Sequence, residues 1–224
     1  MFARLPPLAV ASTSQPAAPQ CVLNKIHLMK QAIVPAFTLP LTLIACTTPM
    51  NTPDVKHNPN PKMRYEITLT IKDAPSSFES ITGYMLYKVV NEQCAPFEKF
   101  IGIYRTPPGQ NVPFALTRVN DHEYNGIIYL DLLQDEDYYG KGACRWSMPF
   151  VLTNLKGGGV TFAPDVSQEQ IIQQQSVTLY FPKKAFGNPA LQGSSDGGTT
   201  ISDIVASYRD EFFSITLSAK EKFK

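Results

Sequence analysis

Short segments in which apolar and polar residues alternate constrain the fold of this chain more than any other feature. The first, residues 64–72 (RYEITLTIK), has a tyrosine, two isoleucines and a leucine at every second position. Successive side chains of a β-strand point to opposite faces, so this pattern predicts a strand with one buried and one solvated face. Residues 213–217 (FSITL) repeat the pattern near the end of the chain.

Apolar runs bounded by turn residues predict the other strands, over residues 83–90, 100–104, 114–119, 124–133, 144–155, 160–163 and 177–181. The segments 114–119 and 124–133 flank an Asn-Asp-His-Glu turn, so we expect them to form a hairpin. Ser167 and Gln170 have the spacing of a capping box, which predicts one helical turn. Residues 186–200 are rich in glycine, serine, asparagine and proline, a composition that predicts a mobile loop.

Eight or nine short strands separated by frequent turn signals predict an all-β fold. We expect an antiparallel β-sandwich or a barrel-like arrangement with little helix and one disulfide. The immunoglobulin pattern is absent, because Trp146 follows the second cysteine of the body and does not lie between the two.

The first 45 residues differ in composition from the rest of the chain. They contain three of the 20 lysines and arginines and none of the 19 acids. Residues 29–45 form an apolar run with Lys30 as its one cation, too short to span a bilayer and interrupted by Pro35 and Pro40. This run has the character of the apolar region of a secretory signal peptide.

The run ends in Leu43-Ile44-Ala45-Cys46, which resembles the lipobox of bacterial lipoproteins. The resemblance implies that the Cys46 thiol receives a diacylglyceryl group, that the chain is cut before Cys46, and that the new amine is acylated, for example with palmitate. Two or more acyl chains anchor a protein stably to a membrane. Thr47 differs from the aspartate of an inner-membrane retention signal, so we expect the periplasmic face of the outer membrane. An ordinary cleaved signal or a buried apolar segment is the alternative.

These features predict three parts. Residues 1–45 are an upstream extension and lipoprotein signal peptide, with Met29 as the expected start or, alternatively, a long leader that includes Lys25. Residues 46–62 contain the lipidated cysteine and a proline-rich flexible tether, and residues 63–224 form a single β-rich domain. In an exported chain the two remaining cysteines, Cys94 and Cys144, usually pair, and two buried free thiols are the alternative.

The densest polar cluster of the body is the loop that contains Asp135, Glu136, Asp137, Tyr138 and Tyr139. Tyrosines beside fixed negative charges favour a partner-binding surface for a basic target. A calcium site is a weaker alternative, because the loop lacks the spacing of a helix-loop-helix calcium site. The third interpretation is a solvated turn whose tyrosines pack on the edge of the sheet. We predict no metal and no cofactor.

No catalytic constellation stands out, and we predict that the chain is not an enzyme. Asp131 and Glu123 lie on the same predicted hairpin arm, and nothing beyond their identity as carboxylates suggests a pair for glycoside hydrolysis. His122 lies in a predicted turn. No Gly-x-Ser-x-Gly elbow and no Cys-x-x-Cys occur. The chain has a net charge of +1 and no basic run with interleaved aromatics, so we expect no nucleic acid partner.

A small β-rich body with one disulfide, a short tether and a lipobox is similar to the periplasmic immunity lipoproteins that protect bacteria from exported toxins. The resemblance is one of architecture and transfers no functional residue. It implies a membrane-anchored protein-binding module whose partner is a secreted toxin that attacks the cell wall. The alternatives are a structural or assembly lipoprotein of an envelope machine such as a secretion system, and a ligand- or carbohydrate-binding module.

Overall fold

The computed structural model describes residues 53–222 of the chain. Cys46 and the whole of the predicted leader lie outside these residues. The described part contains thirteen strands and one α-helix, with five short 3-10 segments between them. In chain order the strands are β1 (Arg64–Lys72), β2 (Ser80–Val89), β3 (Phe97–Glu98), β4 (Ile103–Tyr104), β5 (Gln110–Phe114), β6 (Leu116–Asn120), β7 (Glu123–Tyr129), β8 (Trp146–Gly157), β9 (Val160–Phe162), β10 (Asp165–Ser167), β11 (Val177–Pro182), β12 (Ser195–Asp196) and β13 (Phe212–Glu221), and the helix is α1 (Gln168–Ile172).

Two sheets form a β-sandwich, as the alternating sequence pattern predicts. The first sheet has the strand order β11-β13-β1-β7-β6, and the second has the order β12-β9-β8-β2-β5, with β10 also paired to β8. Every pairing is antiparallel except that of β12 with β9. The fold class expected from the sequence is therefore confirmed, with a single α-helical turn of five residues in the described part of the chain.

The core lies between the two sheets and follows the period-2 pattern. In β1 the side chains of Tyr65, Ile67, Leu69 and Ile71 are buried, and β13 buries every second residue from Phe213 onward. The second sheet contributes Met85, Tyr87, Met148 and Val151 to the same cluster. Burial of such apolar side chains is the main favourable term in folding, at about 25 cal/mol per Å².

The first and the last long strands of the body are neighbours at the centre of the first sheet. Strand β13 pairs with β1 over eight residues, from Tyr65 opposite Glu221 to Lys72 opposite Ser214. Strand β13 also pairs on its other side with β11. The sheet is therefore built around contacts between residues far apart in sequence.

The two sheets share one nearly continuous edge strand. Residues 110–114 pair with β2 in the second sheet, and residues 116–120 pair with β7 in the first, so that the chain changes sheet at Ala115. The Phe114 ring lies at this corner over Gly83 and Gly126, where a Cβ atom would come within 2.4 Å and 2.7 Å of the ring. These glycines leave room for the ring that closes the corner.

The sequence prediction differs from the structure in four segments. Residues 100–102 form a turn with Gly102 in the left-handed region, so only Ile103–Tyr104 of the predicted strand is regular. Strand β7 ends at Tyr129, and β8 begins at Trp146. The predicted mobile loop 186–200 contains the strand β12, which lies beside β9.

The predicted hairpin 114–133 is confirmed as β6 and β7, which are joined at Asp121 and His122.

Part of the predicted tether is held against the body. The Asn58 amide donates to the Leu132 carbonyl at 2.7 Å, and the Gln134 amide donates to the Lys56 carbonyl at 2.9 Å. His57 forms a β-bridge with Leu133, and Val55 packs against the core. This pairing could not be predicted from the sequence, because the segment is rich in proline and has few apolar residues. Residues 55–58 of the predicted tether thus belong to the folded body.

A candidate binding surface at the cysteine end

One end of the sandwich carries all five residues of the predicted binding loop. Here β2 ends, β7 ends and β8 begins, and the Arg64 end of β1 lies opposite Tyr129. We call this end, formed by residues 53–63, 89–109 and 130–145, the cysteine end. The opposite end is formed by residues 73–79, 120–122 and 183–211.

The disulfide predicted from the sequence joins Cys94 to Cys144, with 5.1 Å between the two Cα atoms. Both cysteines are buried in a small second core cluster with Ala95. Val89, Tyr138 and Tyr139 pack against this cluster. The bridge thus joins the segment after β2 to the loop before β8.

The three acids of the loop have different surroundings. Asp135 is exposed, and its carboxylate accepts a hydrogen bond from the Trp146 amide at 2.9 Å. Glu136 is partly buried and forms an ion pair with Lys56 at 2.6 Å. Asp137 is exposed and accepts from the backbone amides of Lys141 at 2.9 Å and Tyr139 at 3.2 Å. Each acid therefore helps to fix the loop.

Two pKa shifts follow from these contacts. Backbone N–H groups, chiefly those of Gly142 and Lys141, lower the pKa of Asp137 below its ordinary value. The hydrogen bond and the charge of Glu136 raise the pKa of Lys56. Asp137 therefore carries a fixed negative charge over the whole physiological pH range.

The two tyrosines of the loop pack inward more than the sequence indicates. The Tyr138 hydroxyl donates to the Gln134 carbonyl at 2.9 Å, and both rings contact the disulfide cluster. Partial burial raises the pKa of the Tyr139 phenol. Of the five candidate residues, Asp135 and Asp137 are thus the exposed ones, and the other three are partly buried.

Asp131 positions the chain just before β1. Its two carboxylate oxygens accept from the backbone amides of Lys62 at 2.8 Å and Met63 at 3.0 Å. Glu123 begins β7, whereas Asp131 lies two residues past its end, so β7 separates the two carboxylates by its whole length. A seven-residue strand is roughly 23 Å long, which exceeds the separation of a glycosidase pair.

His122 lines a cleft of about 460 Å³ at the opposite end, together with Ser76, Ser77, Arg118 and Asp121. Asp121 pairs with Arg118, and the His122 amide donates to the Asn120 side chain at 2.8 Å. Within residues 53–222 no hydrogen bond joins His122 to either serine. The geometry needed to activate a serine is therefore not formed there.

A hairpin that the sequence analysis did not single out is the most exposed apolar feature of the cysteine end. Strands β3 and β4 form a separate two-stranded sheet directly after Cys94. The Phe97 and Tyr104 rings lie 5.0 Å apart, and the Phe100 side chain at the turn is 95% exposed. The apolar residues of this hairpin are visible in the sequence FEKFIGIYR, but their apolar content taken alone favours a buried strand over an exposed hairpin.

The part of the chain that the structure describes contains no cluster of three or more histidine, cysteine or acidic residues with the geometry of a metal site. No helix among residues 53–222 has the length and apolar character needed to cross a bilayer. Comparison with known proteins found no match to this chain among protein-family models, curated proteins or solved structures.

Proposed function

We propose that the protein is a lipid-anchored binding protein of the bacterial cell envelope that uses the acidic loop at the cysteine end to bind a basic protein partner. We propose a secreted toxin that attacks the cell wall as that partner, so that the chain acts as an immunity protein. Cys46 is the proposed site of lipidation. The outer membrane, with the body on its periplasmic side, is the proposed location.

The observation that carries this proposal is the preorganised state of the loop. The disulfide, the Lys56–Glu136 ion pair and the amides that bind Asp135 and Asp137 hold it in one conformation. A surface that is already ordered loses little conformational entropy on binding, so more of the contact energy becomes affinity. Two exposed carboxylates on such a surface favour a basic target.

The pairing of Cys94 with Cys144 supports the proposed location. Structural disulfides form and persist in oxidising compartments such as the periplasm. The lipobox-like sequence before Cys46 supports the same compartment. Mass spectrometry of the protein from its native cells tests the anchor, and we expect a chain that begins at an acylated Cys46. An intact leader with an unmodified Cys46 would contradict it.

Site-specific photo-crosslinking in the native cells tests the binding surface. A photoreactive amino acid at the exposed Lys141, beside the exposed Asp137, should yield an adduct with a protein partner that mass spectrometry identifies. The same amino acid at Tyr208, on the opposite end, is the matched control and should yield none. A toxin among the adducts supports immunity, whereas a secretion-system component would overturn immunity in favour of an assembly role.

The contribution of charge is tested on the complex so identified. Asp135→Asn with Asp137→Asn keeps an acceptor oxygen at each position but removes two charges. We expect association to slow by about threefold to tenfold, with a weaker dependence on salt, because peripheral charges act mainly on the association rate. The control, Asp210→Asn with Glu211→Gln, removes two charges at the opposite end. It should leave the association rate and its dependence on salt unchanged. An unchanged rate for the loop variant would remove the loop from the binding surface.

A further inference from the structure

The hairpin formed by β3 and β4 carries an unusual concentration of exposed apolar side chains. Five of its eight residues are large, apolar or aromatic, and exposed: Phe97 at 49%, Phe100 at 95%, Ile101 at 54%, Ile103 at 51% and Tyr104 at 38%. Scattered apolar residues are normal on protein surfaces, but a contiguous group marks a contact site for a membrane or another protein. The hairpin is therefore a candidate contact element.

The hairpin is a two-stranded sheet of its own and pairs with neither sheet of the sandwich. Its hydrogen bonds are internal, from the Gly102 amide to the Glu98 carbonyl at 2.8 Å and from the Arg105 amide to the Pro96 carbonyl at 2.9 Å. An ion pair between Arg105 and Glu98 at 3.2 Å adds to them. Directly before its base, the Cys94–Cys144 disulfide fixes the hairpin to the body. The internal hydrogen bonds, the ion pair and the disulfide thus hold the hairpin and its apolar tip in a fixed position on the body.

The hairpin and the first described residues of the body belong to the same end of the sandwich. Lys56 pairs with Glu136, and the Glu136 carbonyl accepts from the Cys144 amide at 2.9 Å. Cys144 is bonded to Cys94, which lies three residues before the start of the hairpin at Phe97. A short series of direct contacts therefore leads from the start of the body to the hairpin.

The length of chain before Lys56 limits how far this end can lie from a lipid on Cys46. Lys56 lies ten positions after Cys46. A fully extended chain spans at most about 3.3–3.6 Å per residue, so these ten residues reach no farther than about 36 Å. An anchor at Cys46 would thus keep Lys56, at the cysteine end, within about 36 Å of the lipid.

We infer that the β3–β4 hairpin is a second membrane contact, whose tip enters the headgroup region and the outer part of the acyl chains of the bilayer. This inference rests on the proposed lipid anchor for the orientation of the body. Phe100 and Ile101 supply the apolar area, and Phe97 and Tyr104 lie behind them, with aromatic rings of the kind enriched at membrane interfaces. Lys99 at the turn places a cation where anionic headgroups attract it.

Vesicle binding by the body alone, residues 53–224, tests the contact without the anchor. This piece is a valid probe because residues 53–222 contain both sheets and both core clusters. We expect it to sediment with vesicles of phosphatidylethanolamine and phosphatidylglycerol. Phe100→Ser with Ile101→Ser should weaken partitioning by about a hundredfold or more, since each of the two side chains contributes at least about tenfold when buried in an apolar phase.

A matched control and a headgroup variant refine this test. Val205→Ser with Tyr208→Ser removes two side chains of similar exposure, 66% and 54%, from the opposite end and should leave partitioning unchanged. Lys99→Ser should weaken binding about fivefold on anionic vesicles and leave it unchanged on neutral ones. Failure of the unaltered body to bind either kind of vesicle would overturn the inference.

Fluorescence quenching in reconstituted membranes tests the orientation of the lipidated protein. Trp146 is the one tryptophan of the chain, so Phe100→Trp in a Trp146→Phe background places a single reporter at the hairpin tip. Lipids brominated on their acyl chains should quench this reporter and should not quench Tyr208→Trp in the same background. Equal quenching at the two positions, or quenching at neither, would overturn the inference.

The two proposals fail in distinguishable ways. Vesicle binding by residues 53–224 together with an unmodified Cys46 in native cells would overturn the anchor and support the hairpin contact. An acylated Cys46 together with a body that ignores vesicles would support the anchor and overturn the hairpin contact.

Discussion

At the scale of single residues, the corner between the two sheets depends on glycines that lie beneath one aromatic ring. Gly83 belongs to β2 and lies opposite Phe114, and Gly126 belongs to β7. Both glycines are buried, and Phe114 covers them. An aromatic ring placed across from a strand glycine restores the packing that the missing side chain would have given.

We expect Gly83→Ala to lower the free energy of unfolding by about 1–3 kcal/mol, because its Cβ would lie 2.4 Å from the Phe114 ring and would overpack the corner. Denaturant titration measures the change. Phe114→Leu in the same chain should recover part of the loss, since it removes the ring that the new methyl group meets.

Gly197→Ala is the control for this substitution. No described atom lies within 4 Å of a Cβ at Gly197, and its φ is outside the left-handed region. Its stability should therefore stay within about 0.5 kcal/mol of the parent protein. If the Gly83→Ala variant were as stable as the Gly197→Ala variant, the Phe114 ring would be able to move aside without lowering the free energy of unfolding.

Tyr87 is a fully buried tyrosine whose hydroxyl donates to the Tyr129 carbonyl and thereby joins the two sheets. We expect Tyr87→Phe to lower the free energy of unfolding by about 1–2 kcal/mol at pH 7, because the carbonyl loses its buried donor. Denaturant titration at pH 7 measures the loss. The exposed Tyr208→Phe is the control and should change little.

The loss caused by Tyr87→Phe should depend on pH. Burial raises the pKa of Tyr87 above its ordinary value of 10.0, so the contribution is fully present below pH 10. Above that pH the unfolded chain releases the phenol proton while the folded chain keeps it, and the parent protein loses up to about 1.4 kcal/mol per pH unit. The gap between parent and variant should therefore narrow above pH 10. A constant gap would contradict the assigned cause.

At the scale of elements, the cysteine end is a set of short segments held together by one covalent bond. The disulfide closes a loop with a sequence separation of 50 residues. That loop includes the hairpin β3–β4, the edge strand of both sheets and the acidic segment. Few regular strands hold residues 90–109 and 130–145, so the bridge replaces sheet pairing as their support.

We expect Cys94→Ala with Cys144→Ala to lower the free energy of unfolding by about 4 kcal/mol, because an open loop of this length gains conformational entropy in the unfolded chain. Denaturant titration of the oxidised parent and of the double variant measures the difference. A loss below about 1 kcal/mol would indicate that the loop stays compact in the unfolded state.

The strands could be predicted from the sequence where one face is buried and the other is wet. Residues 64–72 have the bounds that the alternation predicts, because β1 lies at the centre of a sheet with one face on the core. The prediction of a strand over residues 100–104 was only partly right, because their apolar side chains face solvent and apolar character alone does not reveal whether a segment is buried. The short pairing at residues 56–58 was not predicted, because backbone hydrogen bonds to residues 132–134 and polar contacts such as the Lys56–Glu136 ion pair hold it. Neither kind of contact leaves an apolar pattern in the sequence.

The candidate site was predictable only in part, for a related reason. A cluster of acids and tyrosines indicates a polar surface loop, and Asp135 and Asp137 fulfil that expectation. The sequence does not reveal which acid pairs with another side chain of the same body. Glu136 forms an ion pair with Lys56, a residue 80 positions away. The disulfide was easier to predict, because two cysteines of the body have only one way to pair with each other.

At the scale of the whole molecule, the shared edge strand makes the two sheets one mechanical unit. Residues 110–120 pair with β2 in one sheet and with β7 in the other, and a single core cluster joins both. Neither sheet keeps its edge or buries its inner face without the other. The body should therefore lose both sheets together.

We expect equilibrium unfolding of residues 53–224 to show one transition. Fluorescence of Trp146, which begins β8 in the second sheet, should follow the same denaturant curve as far-ultraviolet circular dichroism of both sheets. Hydrogen exchange of amides in β1 and in β8 should report the same free energy of opening. Separate curves, or a lower opening energy for one sheet, would contradict this coupling.

The pairing of β1 with β13 also has a consequence for how the body is made. Polypeptides are synthesised from the amino terminus onward, so β1 leaves the ribosome long before its partner β13. The central ladder of the first sheet cannot form until residues 212–221 have been made. During that interval the edges of β1 stay unpaired and open to pairing with other chains, because long-range strand pairing is slow to form.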